Sequence, residues 1–415
     1  MIRTAPAAKL YWGWLVVAAA FLVATFGFGL GFYGPGIYLV ALNAGHGWST
    51  EALSTAVTAY YVLGAVLLFF VVGRLFDRWG VRAIIAAGAV AMAGGVVSLT
   101  LITKPWQVYA SFGVMSFGWA TMSGAAINII VAQWFVRRRG LALSWAMNGT
   151  SAGGVVIAPS LILSISWLGL SAGLASAAAV MLAVLIPIAM MVLRPRRPDE
   201  HEPAELYATS VQPRDSVQEA EEFHLTMTLR SRTFLTISVP FALALTAQVG
   251  FLTHQVAFLS PAIGTIAAGW AVSLTTLAAV IGRIATGFVV DKFDRRVVAS
   301  VNFVMQALGI AVLAMSVREW SLWFGCVLFG AGVGNATSLP GLIVQQEFPK
   351  HHFARVVSLV VAINQFSFSF GPILLAEIQH AEGTYTVALL VCLVMEIAAA
   401  IVVLSPALIR RRVTV

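Results

Sequence analysis

Arg283 is the residue whose placement promises chemistry, because it is the one basic side chain that falls inside an apolar run rather than between two runs. It lies eight residues before Asp291, so on a helix its Cα is about 12 Å inside the end that Asp291 marks. A charge at that depth costs about 3 kcal/mol or more in hydrocarbon unless it lines a wet cavity or finds a partner. What it could do is hold an anion, since a planar guanidinium grips a carboxylate through two parallel hydrogen bonds. Two other readings stay open: the long side chain could snorkel to the interface, or it could close a structural ion pair. His254, in Thr253-His254-Gln255, is the second candidate. Histidine titrates nearest physiological pH and could couple a proton to anion binding, or it could sit neutral and hydrogen-bonded between helices.

A wider set of polar residues stands on apolar runs: Tyr33, Tyr60, Tyr61, Asn128, Asn148, Asn335, Asn364 and Gln365. Each could hydrogen-bond a substrate or tie helix to helix. Glu396 is midway along the last run. It is either protonated or turned into the bundle, because a lipid-facing charge is too costly. Neither zinc-spaced Cys/His sets nor a nucleophile elbow is present. The small-residue strings 149–154 and 330–334 indicate close helix packing rather than a phosphate cradle, since no strand precedes them. The reading needs no cofactor, no metal and no catalytic residue.

The elements that must position these residues follow from composition. The chain is 60% hydrophobic and 10% charged with a mean hydropathy of +0.90, well outside a soluble domain, where about a quarter of residues are charged. Segments that span hydrocarbon must be helices or closed barrels, and apolar stretches of helix-spanning length recur from end to end. They predict an all-α membrane protein of twelve transmembrane helices. Helices 1 to 6 are expected at 12–40, 51–73, 82–102, 106–132, 140–164 and 167–193, and helices 7 to 12 at 233–260, 265–290, 297–317, 320–346, 354–376 and 384–408. The hydrophilic stretch 194–232, rich in Pro, Glu and Arg, reads as a linker with a short amphipathic helix near 223–229. It separates an N-terminal six-helix bundle, 1–193, from a C-terminal one, 233–415.

Of the 25 Lys and Arg residues, all but three fall on one side of these helices; the exceptions are Lys104 and Arg318 on the opposite side and Arg283 within a helix. Among the majority are Arg3 and Lys9, Arg137 to Arg139, the linker basics, Lys350 beside His351, and Arg410 to Arg412. Basic loops mark the cytoplasmic side, so both termini and the linker are expected there, in a multi-pass protein of a bacterial inner membrane. The net charge of +8 is thus a topology signal and not a nucleic-acid footprint. Cys326 and Cys392 lie in apolar runs and read as small buried hydrophobes.

The chain also repeats itself. Gly73-Arg-Leu-Phe-Asp77-Arg78-Trp-Gly80-Val-Arg82 ends helix 2, and Gly287-Phe-Val-Val-Asp291-Lys292-Phe-Asp-Arg295-Arg296 ends helix 8, 214 residues later. Arg139 with Asn148 and Arg355 with Asn364 form a second echo, 216 residues apart. Glycine would allow close helix contact at these ends, and Asp with flanking Arg would form a gating charge cluster. Duplicated halves around a midplane site are a transporter architecture, and the repeat places Asn148 and Asn364 equivalently on helices 5 and 11.

The loop at 73–82 resembles the signature of the major facilitator superfamily, and 287–296 its second copy. Tyr11-Trp-Gly-Trp14, Trp134-Phe-Val-Arg-Arg-Arg-Gly-Leu-Ala142 and Gly282-Arg283-Ile-Ala-Thr-Gly287 are similar to the monocarboxylate transporter and oxalate/formate antiporter branch. The resemblance implies alternating access by two six-helix bundles, and substrate carboxylate bound by the arginine that matches Arg283. The proton-coupling Asp of animal monocarboxylate carriers is Ala279 here, and the helix-11 Lys of oxalate carriers falls near Asn364. One cavity cation fits a monoanion better than a dianion. The expected partners are therefore a small organic anion such as lactate, pyruvate or formate, protons, and the lipid bilayer, with the protein working as a monomer. Binding is expected from Arg283, His254, Asn364, Asn148, Tyr33, Tyr60 and Asn335, with His254 the proton partner. The alternative is a drug/proton antiporter of the same superfamily, whose helix-5 Gly-Pro pattern is broken here at Ala158-Pro159-Ser-Leu-Ile.

Overall fold

The computed structural model describes residues 11–135, 138–197, 200, 225–290, 292–315, 318–349 and 352–413. Arg3, Lys9, Arg137, Asp291, Lys350, His351 and most of the linker lie outside the described residues. Among the described residues nine helical runs are long and apolar enough to cross a membrane. Two of them, Thr50–Ser98 and Arg139–Met191, are 49 and 53 residues long, about twice what a bilayer needs. Each folds back at a glycine, Gly80 (φ 75°, ψ 167°) and Gly169 (φ 81°, ψ 169°), in a backbone region that a Cβ forbids. A further pass is made by Glu319–Val333 continued by Leu339–Glu347. The described residues thus make twelve passes, all helical. Helices 2 and 3 meet at Gly80, helices 5 and 6 at Gly169, and helices 7 and 8, Arg232–Ile263 and Thr265–Val289, at Gly264.

Helix ends follow local chemistry. Ser49 and Ser231 cap helices 2 and 7 by accepting the N–H of Ala52 and Phe234, which satisfies one of each helix's orphan donors. Helix 1 runs from Trp12 to His46, beyond the expected stop at 40. A five-residue π-turn, Gly29–Tyr33, absorbs the Gly34-Pro35-Gly36 sequence instead of ending the helix there. Proline removes the N–H that would have bonded the Gly31 carbonyl. Tyr60 on helix 2 takes up that carbonyl through its hydroxyl at 2.8 Å. Tyr61 does the same for Phe32 at 3.2 Å. Within the linker, Leu225–Arg230 is helical.

The Tyr11-Trp-Gly-Trp and Trp134 motifs meet in space. The Tyr11 hydroxyl donates to the Trp134 carbonyl, the Trp12 indole donates to the Val192 carbonyl, and the Arg194 guanidinium lies over both indoles at 4.6 and 5.4 Å. These motif residues clasp the ends of helices 1, 4 and 6. Glycines set the closest crossings. An added Cβ would come within 2.7 Å of the Gly29 nitrogen at Gly153, on helices 5 and 1, and within 2.7 Å of the Gly250 nitrogen at Gly371, on helices 11 and 7.

The halves meet at one end. Ser54 faces His254 at 3.3 Å, the Ile373 N–H donates to Thr58, Ser273 donates to the Val155 carbonyl, and Glu51 faces His380. At Gly36 a Cβ would lie 2.4 Å from the Thr253 carbonyl, so the backbones of helices 1 and 7 touch. All these contacts lie from mid-membrane to the face opposite the basic loops, here called the far face. At the basic face Asp77 and Arg78 are exposed, and Gly73 and Gly287 have open space where a Cβ would go. The expectation that these two glycines support close helix contact is therefore corrected for this conformation. Arg295 donates to the Leu342 carbonyl at the end of helix 10, inside its own half.

Candidate functional site

Arg283 is held by helix 8 against a break in helix 10. That helix stops at Val333 and resumes at Leu339, which frees carbonyls near mid-membrane. The Arg283 Nε donates to the Gly334 carbonyl at 2.9 Å. Gly334 is a glycine for a reason: a Cβ there would sit 2.3 Å from the Ala279 carbonyl and 3.4 Å from the Arg283 Cβ. Ala279 is one turn farther from the basic face than Arg283, so the side chain points into the membrane and does not snorkel outward. Among the described residues no carboxylate pairs with it, and its Nε bond is its one hydrogen bond to protein. The Nη face of the fork is therefore available to an anion.

Tyr33 comes to the same place from the other half. The π-turn of helix 1 ends on Tyr33, whose hydroxyl comes beside the Thr276 hydroxyl on helix 8 and lies within electrostatic reach of Arg283. The approach requires Gly154 on helix 5, where a Cβ would be 2.4 Å from the Thr276 Oγ1 and 2.8 Å from the Tyr33 Cζ. Helices 1, 5, 8 and 10 thus converge around Arg283, Tyr33 and Thr276. Helix 4 is also interrupted, at Ser123, the counterpart of the helix-10 break by the 214-residue offset. Paired interruptions at corresponding positions in the halves point to a midplane site.

The other expected residues divide. Asn364 is 5% exposed with its Oδ1 unpartnered, and the Gln365 Nε2 beside it is unpartnered too. Asn148 is half-buried and makes no side-chain hydrogen bond among the described residues. Tyr60 is committed to the Gly31 carbonyl, and the Asn335 Nδ2 donates to Asn302 at 2.6 Å. His254 is fully buried. Its Nε2 lies 2.9 Å from the Pro372 carbonyl, and its Nδ1 3.0 Å from the Tyr385 hydroxyl. A carbonyl only accepts, so Nε2 carries the hydrogen and Tyr385 donates to Nδ1. Counted from the Gly264 turn, His254 is ten residues deep and Arg283 nineteen, a difference in depth of about 13 Å. One small anion does not touch both.

Sequence reasoning missed Thr276, and it read Gly154 and Gly334 as parts of close-packing strings, which they are, without placing them at the site. The signal for Gly334 was present, as a Gly-rich interruption matching one in the other half. It also singled out Arg295, whereas the neighbouring Arg296 is the buried one. Its guanidinium pairs with Glu347 at 2.6 Å and donates to the Thr236 and Val403 carbonyls.

The Major Facilitator Superfamily profile matches residues 19–372 and again 255–414. The chain belongs to the Major Facilitator Superfamily. This facilitator is accordingly a secondary transporter of the membrane, not an enzyme. It is 26% identical over 321 residues to the MFS transporter asaE of Aspergillus flavus, covering 76% of this chain and 69% of that one. It is 28% identical over 187 residues to human monocarboxylate transporter 11, covering 43% of this chain and 39% of that one. The crystal structure of the nucleoside transporter NupG superposes with a TM-score of 0.68 at 15% identity, covering 95% and 99% of the two chains. That likeness establishes the fold alone.

Proposed function

We propose that this facilitator carries a small organic monoanion, with a monocarboxylate such as lactate, pyruvate or formate as the cargo class and Arg283 as its anchor. The observation that carries the reading is the Arg283 fork, turned inward and fixed through Nε with no carboxylate partner among the described residues. Tyr33 and Thr276 supply hydroxyls beside it, and Asn148 and Asn364 are proposed to complete the polar lining from helices 5 and 11. The partial likeness to a monocarboxylate transporter supports the same reading.

Alternating access follows from the seam. The moving units are proposed to be 1–193 and 233–415, joined by 194–232. The basic face is proposed to be cytoplasmic, in a bacterial inner membrane, and the present state to be the one open to it. Opening the far face requires breaking Ser54–His254, Thr58–Ile373 and Ser273–Val155. At about 1 kcal/mol each, that is within what one desolvated ion pair supplies. His254 is proposed to act as a strut of this seam rather than as a ligand of the cargo. Gly73, Asp77, Arg78, Gly287, Asp291 and Arg295 are proposed to latch the basic face in the opposite state.

Thermal unfolding of the purified protein with a panel of small carboxylates tests the reading, since a ligand that binds the folded state raises the midpoint. Monocarboxylates should raise it for the wild type and not for Arg283→Lys. A rise with bulky cationic drugs and none with carboxylates would favour an efflux antiporter.

A further inference from the structure

Glu396 is the one fully buried acid among the described residues, and the anion pathway does not use it. Its side chain is 0% exposed, and neither carboxyl oxygen has a hydrogen-bond partner. Hydrogen bonds fix what stands around it. Ser300 donates to the Ala400 carbonyl and Arg296 to the Val403 carbonyl, so helices 9 and 12 run antiparallel with Glu396 level with Val304. The Cys392 thiol faces the Ala247 carbonyl, which brings helix 7 to the same level. Gln306 therefore lies within one helical turn of Glu396 in depth, and Gln248 within about one and a half. Gln306 is fully buried with both amide atoms unpartnered, and the Gln248 Oε1 is unpartnered as well. Gly332 makes the room, since a Cβ there would sit 2.6 Å from the Gln306 Cγ.

A polar row runs from the anion site toward this level. Arg283 donates to Gly334, the adjacent Asn335 donates to Asn302, and Asn302 stands one turn from Gln306 on helix 9. In the other half the 214-residue offset turns Asn302, Gln306 and Asn335 into Gly88, Met92 and Thr121, and helix 6 has no charged residue. The row belongs to the half that holds Arg283.

An ionised carboxylate with no partner in such surroundings costs several kcal/mol, whereas a neutral acid has only a hydroxyl and a carbonyl to satisfy. We propose that Glu396 is a proton-binding site of this transporter, linked to the anion site through the break in helix 10. Its carboxyl carries the proton in the present conformation. It releases the proton to water, becoming a carboxylate, when rearrangement of helices 10 and 12 wets it. Few other titratable groups reach this level. Helix 12 itself offers Cys392 one turn away. Helix 9 offers Arg296 two turns toward the basic face, paired with Glu347. Helix 7 offers His254, about three turns toward the far face, where helix 11 ends with Glu377, His380 and Glu382 and helix 12 begins with Tyr385.

The identity of the cargo rests on the anion reading; the proton site does not. In proteoliposomes Glu396→Gln, a neutral isostere, should exchange labelled pyruvate across the membrane within about twofold of wild type while losing tenfold or more of the accumulation driven by a proton gradient. His254→Gln should keep that accumulation. Gradient-driven accumulation by Glu396→Gln equal to wild type overturns the proposal. Infrared spectra of the purified protein separate the two readings. Wild type should show a protonated carboxylic-acid band at neutral pH that Glu396→Gln lacks, and the absence of this band from wild type rejects the proton site whatever the cargo. If the band is present but no carboxylate is exchanged, the anion reading fails and the proton site stands.

Discussion

The two halves of this facilitator share their joints and differ in their charges. Gly29 against Gly153 and Gly250 against Gly371 are the same helix crossing made twice. Arg82 reaches the Leu193 carbonyl at the end of helix 6, and Arg296, its counterpart by the 214-residue offset, reaches the Val403 carbonyl near the end of helix 12. At the level of the site the likeness stops. Arg283 corresponds to Phe69, which is 70% exposed, and Asn302 against Asn335 corresponds to Gly88 against Thr121. The N-terminal half carries π-turns on helices 1, 2 and 5, where the described C-terminal half has none. One half has become the shaped wall, aiming Tyr33 by a π-turn, and the other the charged wall.

The comparison is broken most severely by making both walls alike. Arg283→Phe should lower carboxylate transport by about 100-fold or more, as loss of one partner from a desolvated charge pair does, with the unfolding midpoint little changed. Uptake by that variant within tenfold of wild type would remove the distinction between the halves.

Next in size is the shared arginine of the two joints. Arg296 is buried with Glu347, the Thr236 carbonyl and hydroxyl and the Val403 carbonyl, and Arg82 is half-buried with one carbonyl. Arg296→Ala should cost about 3–5 kcal/mol of stability and Arg82→Ala about 1 kcal/mol, read by unfolding in detergent. Equal losses would make the halves equivalent at this joint.

Placing the polar row in the wrong half should fail for steric reasons. A Cβ at Gly88 would lie 2.0 Å from the Thr121 Oγ1, so Gly88→Asn should destabilise by about 1–3 kcal/mol. A variant as stable as wild type would show that the N-terminal crossing tolerates the C-terminal chemistry.

The smallest effects separate two tyrosines that look alike in sequence. Tyr60→Phe orphans the buried Gly31 carbonyl and should cost about 1–2 kcal/mol of stability. Tyr33→Phe should spare stability and raise KM for the anion about threefold, the loss of one modest hydrogen bond. Exchange of these two outcomes would reverse the assignment.

These pairs also indicate what could be read from the chain alone. Twelve passes, the basic face and the duplication follow from hydropathy, charge and offset, each a property of sequence distance. Arg283 was legible because a charge in an apolar run must be explained. The π-turn that aims Tyr33 was not legible, since its Gly29 packs against Ile157 and Gly153, more than a hundred residues away. His254 shows the same limit. Sequence places it near the far end of helix 7, but which way the ring faces depends on the Pro372 carbonyl and Tyr385, more than a hundred residues away. Gly73 and Gly287 were legible as a repeat, but a repeat does not tell what a glycine touches, and both have open space where a Cβ would go.

The central claim is that one inward-turned guanidinium holds the cargo. Its most direct test is uptake of labelled pyruvate into proteoliposomes by Arg283→Lys and Arg283→Ala beside wild type. Both should fall to near background, Lys included, because a point charge does not replace a planar fork. Undiminished uptake by Arg283→Ala would contradict the account.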